Sequence, residues 1–108
     1  MTARTRSMQV AETSVPTLPR HVRFRFDEAR QAWVILAPER VLAPDEIAVE
    51  VLQLCDGNRS VGDIVDVLAQ KYAAERALIG ADVIAMLQDL ADKGFLADKG
   101  FLADSGGA

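Results

Sequence analysis

The chain has 108 residues, half of them hydrophobic, and a formal net charge of −4: one domain's worth of sequence, with apolar residues enough for a small core. A single cysteine, Cys55, and a single histidine, His21, exclude an intrachain disulfide and a Cys/His zinc cluster, and a lone thiol suits a reducing cytoplasm. The acidic balance argues against nucleic acid as a partner, and no apolar run approaches the roughly 20 residues of a membrane span.

Arg4 and Arg6 have no apolar stretch behind them, so the N-terminus does not read as a secretory signal. Met1–Leu18 is rich in Thr, Ser, Ala and Pro, lacks periodicity and reads as a disordered arm or linker. Structure is expected from Pro19. In RHVRFRF, Val22, Phe24 and Phe26 alternate with His21, Arg23 and Arg25, the pattern of a half-buried strand with a cationic outer face. DEARQ is a polar turn, and AWVILA, Ala32–Ala37, is a second strand. Pro38 cannot extend a central strand, so PER turns the chain. Arg40–Ala43 is a short third strand, completing an antiparallel meander.

The second half is helical in pattern. Asp45 caps a helix from Glu46 to about Cys55, with Ala48, Val51, Leu52 and Cys55 on one stripe; Gly57 is a suitable left-handed stop. Ser60 and Asp63 form a capping-box-like start for a second helix, whose stripe is Val61, Ile64, Val65, Leu68 and Tyr72. A third helix runs from about Ala81 to Lys93. Val83, Leu87, Leu90 and Ala91 form its stripe, Ile84 and Met86 lie off centre, and Gly94 ends it. Strands followed by helices give an α+β class: a three-stranded antiparallel sheet, then a three-helix winged helix-turn-helix-like bundle.

The run WVILAPERVLAPDEIAVEVLQLCDGNRSVGDIVDVLAQKY, followed by DVIAMLQDLADKGFL, closely resembles the PqqD family of pyrroloquinoline quinone (PQQ) biosynthesis. The resemblance covers Pro19–Leu96; its most specific part is LCDGNRSV, Leu54–Val61, and the spacing from Asp82 to Gly94 supports it. It implies a non-catalytic, cofactor-free peptide chaperone that binds the precursor peptide PqqA and presents it to the radical SAM enzyme PqqE. It also implies that the peptide adds as a strand beside the third strand, in a groove walled by the third helix. On this sequence those positions are Arg40, Val41, Leu42 and Ala43, with Val83, Ile84, Met86, Leu87, Leu90 and Lys93. Residues 19–96 would be the peptide-binding domain, and 97–108 a disordered tail. Some members are fused behind the oxidase PqqC, and Met1–Leu18 looks like a linker of such a fusion.

These residue types suit the task. An edge strand presents unpaired N–H and C=O groups that an extended peptide can meet, while neighbouring pockets give specificity. The same open edge permits pairing of two copies, so a monomer or weak dimer is expected. On the third helix, Val83, Leu87 and Leu90 suffice for a core; Ile84 and Met86 fit either core or groove, Met being adaptable to varied partners. Arg20, Arg23, Arg25, Arg40 and Lys93 would form a basic rim for an acidic peptide, acting more on association rate than on affinity.

Two rival readings are open. A winged-helix DNA-binding regulator would need a basic recognition helix, whereas ADVIAMLQDLADK carries Asp82, Asp89 and Asp92 against Lys93. An enzyme would need a catalytic set; His21 and Cys55 make none with recognisable spacing, and Cys55 on an apolar stripe reads as a buried small hydrophobe. The chain ends with a tandem ADKGFL, Ala91–Leu96 and Ala97–Leu102. The first copy finishes the third helix, with Phe95 and Leu96 folding back after Gly94. The second reads as a frayed tail, the alternatives being a continued helix or a register slip into the first copy's pocket.

Overall fold

A computed structural model describes residues 9–99. In chain order its elements are β1 (Pro16–Thr17), β2 (Arg23–Asp27), β3 (Ala32–Ala37), β4 (Arg40–Leu42), α1 (Glu46–Gln53), α2 (Val61–Tyr72), α3 (Arg76–Asp92) and β5 (Ala97–Asp98). The class is α+β, with three helices and an antiparallel sheet in the order β2-β3-β4.

The sheet follows from its alternation. Phe24 pairs with Ile35 and Phe26 with Trp33, so these four share one face. Phe24 stacks on Trp33 with ring centroids 4.8 Å apart, Ile35 is wholly buried, and this face packs on the helices. Arg23, Arg25 and Val41 fall on the other face and are exposed. Asp27 shapes the first turn by accepting from the Ala29 N–H at 3.0 Å, an Asx turn. In the second turn Pro38 has a fixed φ near −65° and Glu39 takes a left-handed φ of 70°.

Three helix ends follow the sequence reading; Gly57, with φ 81°, lies beyond the end of α1, whose C-cap is Leu54. Asp45 accepts from the Ala48 N–H at 2.8 Å. Ser60 and Asp63 complete a reciprocal capping box, with bonds of 3.1 and 3.2 Å. Gly94 takes φ 86°; its N–H donates to Ala91 O at 3.0 Å and that of Phe95 to Leu90 O at 2.9 Å. That pair is a Schellman motif, and it seals Phe95 and Leu96 into the core. The core joins Ile35 with Val51, Val61, Ile64, Leu87 and Phe95.

Three expectations need correction. The first helix ends at Gln53 rather than Cys55, with Leu54 as its C-cap. Helix α3 starts at Arg76, not near Ala81. Glu75 gives it no side-chain cap, so no capping residue marks this start in the sequence. In space a Cβ at Gly80 would lie 3.7 Å from Val65 Cγ1, ordinary contact, so Gly80 interrupts nothing.

The third correction concerns both ends. Gln9–Leu18, expected in a disordered arm, lie against the domain. Val10 and Pro16 are buried, and β1 pairs with β5 in the register Pro16↔Asp98, Thr17↔Ala97. The physical reason is helix α2, whose first N–H groups lack intrahelical acceptors. Val61 N donates to Ser14 O at 2.8 Å and Gly62 N to Glu12 O at 2.9 Å. Aperiodic chain can thus be held by its backbone. Lys99 N donates to Val15 O at 2.7 Å, so Ala97–Lys99, the start of the second ADKGFL copy, have a place beside β1. The rest of both expected arms, residues 1–8 and 100–108, lies outside the described residues.

Candidate binding groove

Strand β4 is an edge: it pairs with β3 alone among the described residues. After Leu42 the chain passes through Ala43 and Pro44 into α1, while α3 runs opposite. Between them lies a groove with a volume of about 610 Å³. Val51, Leu68, Val83 and Leu90 make its apolar floor, Leu42 and Ala43 one wall, and Ile79 and Met86 the other. Charged groups from α1 and α3 line the rim.

These charges are held in specific ways. Glu50 accepts from Lys71 Nζ and from the Tyr72 hydroxyl. The Lys71 hydrogen bond, then that of Tyr72, hold the Glu50 carboxyl below the usual carboxylate range, and Glu50 in turn raises Lys71 and the Tyr72 hydroxyl. Lys93 pairs with Asp89 at 3.0 Å. Asp45 is engaged as the cap of α1.

Of the site residues expected from sequence, Leu42, Ala43, Val83, Met86, Leu90 and Lys93 come together at this groove. Four do not line it. Leu87 is wholly buried in the core and does not line the groove. Ile84 packs, partly buried, against the core. Val41 is 53% exposed on the outward sheet face, so only its main chain lies on the edge. Arg40 bends away: a guanidinium nitrogen donates to the Lys93 carbonyl and the group covers the Phe95 ring. The expected basic rim is likewise absent from this groove, because Arg20, Arg23 and Arg25 do not line it; period-2 alternation sends Arg23 and Arg25 to the far face of the sheet.

Sequence reasoning missed Ile47, Tyr72, Ile79 and Asp82. Ile47 is 60% exposed, and an apolar residue off the α1 stripe was its available signal. Tyr72, assigned to the α2 core stripe, is instead half-exposed and bonded to Glu50. Ile79 lies in the first part of α3, before the start near Ala81 expected from sequence. Cys55 is buried and its Sγ donates to Val51 O at 3.3 Å; burial, then the nearby Asp56 charge, push the thiol up to about 12. Among the described residues no group of three or more His, Cys, Asp or Glu is arranged to hold a metal ion, and no helix is long and apolar enough to cross a membrane.

The family model described as Coenzyme PQQ synthesis protein D (PqqD) matches residues 32–96. The chain belongs to the PqqD family. It is 75% identical over 91 residues to a PqqA binding protein of Rhodopseudomonas palustris (strain HaA2), covering 84% of this chain and 89% of that protein. It is 51% identical over 81 residues to the bifunctional coenzyme PQQ synthesis protein C/D of Methylorubrum extorquens, covering 75% of this chain and 22% of that longer protein. Among solved structures it is similar to the solution NMR structure of the PqqD truncation of Methylobacterium extorquens PqqCD. The TM-score is 0.70 at 48% identity, over 82% of this chain and 94% of that one. That truncation is described as a functional, stand-alone recognition element for ribosomally synthesised and post-translationally modified peptides. In this PqqD-family chain the groove lies between α3 and the segment from Leu42, the last residue of the edge strand, into α1.

Proposed function

We propose that this chain is a non-catalytic peptide-binding protein of PQQ biosynthesis, which takes the precursor peptide PqqA as an added strand along β4 and presents it to the radical SAM enzyme PqqE. The observation that carries this reading is an open strand edge, β4, whose last residue Leu42 enters an apolar groove with α3 as its far wall. The names of the relatives support it: a protein 75% identical is called a PqqA binding protein.

The chemistry is that of strand addition. Antiparallel pairs alternate between hydrogen-bonded and open. A two-residue loop that closes in the usual way bonds the pair flanking it, Ala37 and Arg40. Val41, next along, then turns its N–H and C=O outward to a ligand. Main-chain bonds give affinity without regard to sequence, and the groove admits alternate side chains of the peptide. Helix α3 and the sheet would thus serve as a winged helix-turn-helix variant turned to peptide recognition. The carboxylates of Asp82 and Asp89 on α3 argue against phosphate as a partner, and the buried Cys55 and exposed His21 supply no catalytic set.

An NMR titration with PqqA tests the reading. Shifted amides are expected at Val41–Ala43 and along α3 near Met86 and Lys93. Shifts confined to the exposed face of α2 would refute the site, and the absence of any shift would refute the function. Adding PqqE to the peptide complex should then give a ternary species in gel filtration. The same open edge allows a weak dimer at high concentration.

A further inference from the structure

We infer that the groove selects a peptide segment in which an apolar side chain neighbours a lysine or arginine, with Asp82 receiving the cation. The inference rests on the proposed function and names the chemistry of the segment that fills the site. The rim carries four carboxylates, Asp45, Glu50, Asp82 and Asp89, against one ammonium, Lys93. Three of the four are already engaged. Asp45 caps α1, Glu50 is matched by Lys71 and Tyr72, and Asp89 by Lys93 at 3.0 Å.

Asp82 differs: it is exposed and its carboxylate makes no hydrogen bond or ion pair among the described residues. It stands three residues after Ile79 and four before Met86, so all three share one face of α3. Ile79 and Met86 wall the groove on either side of it. A long cationic side chain can lie along those apolar groups and carry its head to the carboxylate, as lysine and arginine do at apolar surfaces. An acidic segment would meet like charge at the rim, which disfavours it. Leu42 and Ile47, across the groove from α3 and not buried, take the neighbouring apolar side chain.

The test is a charge-swap cycle on the full chain, read by calorimetric titration. The probes are PqqA, PqqA with its lysines and arginines changed to glutamine, and PqqA with them changed to glutamate. Asp82→Asn is expected to weaken PqqA binding about fivefold, to leave the glutamine peptide unaffected, and to show less salt dependence. Asp82→Lys should regain affinity for the glutamate peptide. Circular dichroism checks that both variants keep the fold, as an exposed helical position predicts. If Asp82→Asn binds PqqA as tightly as the parent chain, or weakens every peptide equally, the inference is overturned while the proposed function stands. If the parent chain binds none of the peptides, both fall. If groove amides shift on dilution without peptide, a second copy occupies the groove and the inference is overturned.

Discussion

The guanidinium carbon of Arg40 stands 4.6 Å from the centre of the Phe95 ring, and the same group donates to the Lys93 carbonyl. Arg40 belongs to the edge strand; Lys93 and Phe95 close α3. The contact therefore ties the two walls of the groove at one end. It also places a positive charge on a carbonyl that the helix leaves unpaired, at the negative end of the helix dipole.

Arg40→Ala is accordingly expected to cost about 1 kcal/mol of stability and to weaken peptide binding through the position of β4. Arg40→Lys should recover only part, since an ammonium keeps the charge but not the flat face that covers the ring. Chemical denaturation measures the first effect, and the Phe95 ring resonances report the second. Unchanged ring shifts in Arg40→Ala would show that the tie is not formed in solution.

Val41→Pro probes the edge itself. Proline removes an N–H and is tolerated on edge strands, and the outward-pointing N–H of Val41 bonds no residue of β3 in the proposed pairing. The fold should survive, while peptide affinity falls by about one hydrogen bond, ~1 kcal/mol or roughly fivefold. Leu42→Pro, one residue on, should instead break a β3 bond and destabilise the sheet. Equal affinity for PqqA in a folded Val41→Pro chain would exclude strand addition.

Much of this was legible in the sequence wherever a periodic pattern or a cap fixes local geometry. The alternation of Phe24 and Phe26 placed β2, Ser60 with Asp63 opened α2, and Gly94 with Phe95 closed α3. Two kinds of feature were not legible. The first is aperiodic chain held by backbone groups: nothing in the pattern around Glu12 and Ser14 announces that their carbonyls receive the first N–H groups of α2. The second is the direction of long side chains. Arg40 looks like a free cation in sequence, but its guanidinium is engaged by the end of α3, and the groove rim is acidic through Glu50, Asp82 and Asp89, of which the sequence reading uses Asp82 and Asp89 only against nucleic acid.

The N-terminal segment has its own acid sensitivity. Glu12 accepts two hydrogen bonds of 3.0 Å from Arg76, which hold its carboxyl below the ordinary value of 4.5. A depressed folded pKa stabilises above the ordinary value and ceases to do so as pH falls through the lowered one. Between neutral pH and about 4.5 the segment should stay docked, and below that it should loosen. Glu12→Gln should remove this acid step. Hydrogen exchange at the Val61 and Gly62 amides follows it, and pH-independent protection down to acid would contradict the pairing.

Cys55 predicts the opposite limb. Its thiol has an ordinary value of 9.0 and is pushed up to about 12 by burial. Below 9.0 the folded and unfolded chains both carry the proton, so nothing is lost. Above it only the unfolded chain ionises, so stability should fall by about 1.4 kcal/mol for each pH unit until the folded thiol titrates as well. Cys55→Ala leaves a small void costing about 1 kcal/mol but should abolish this alkaline slope, which separates titration from packing. Iodoacetamide at pH 8 should leave the native thiol unmodified and label it only after denaturation; rapid labelling of the folded chain would mean that the end of α1 opens to solvent.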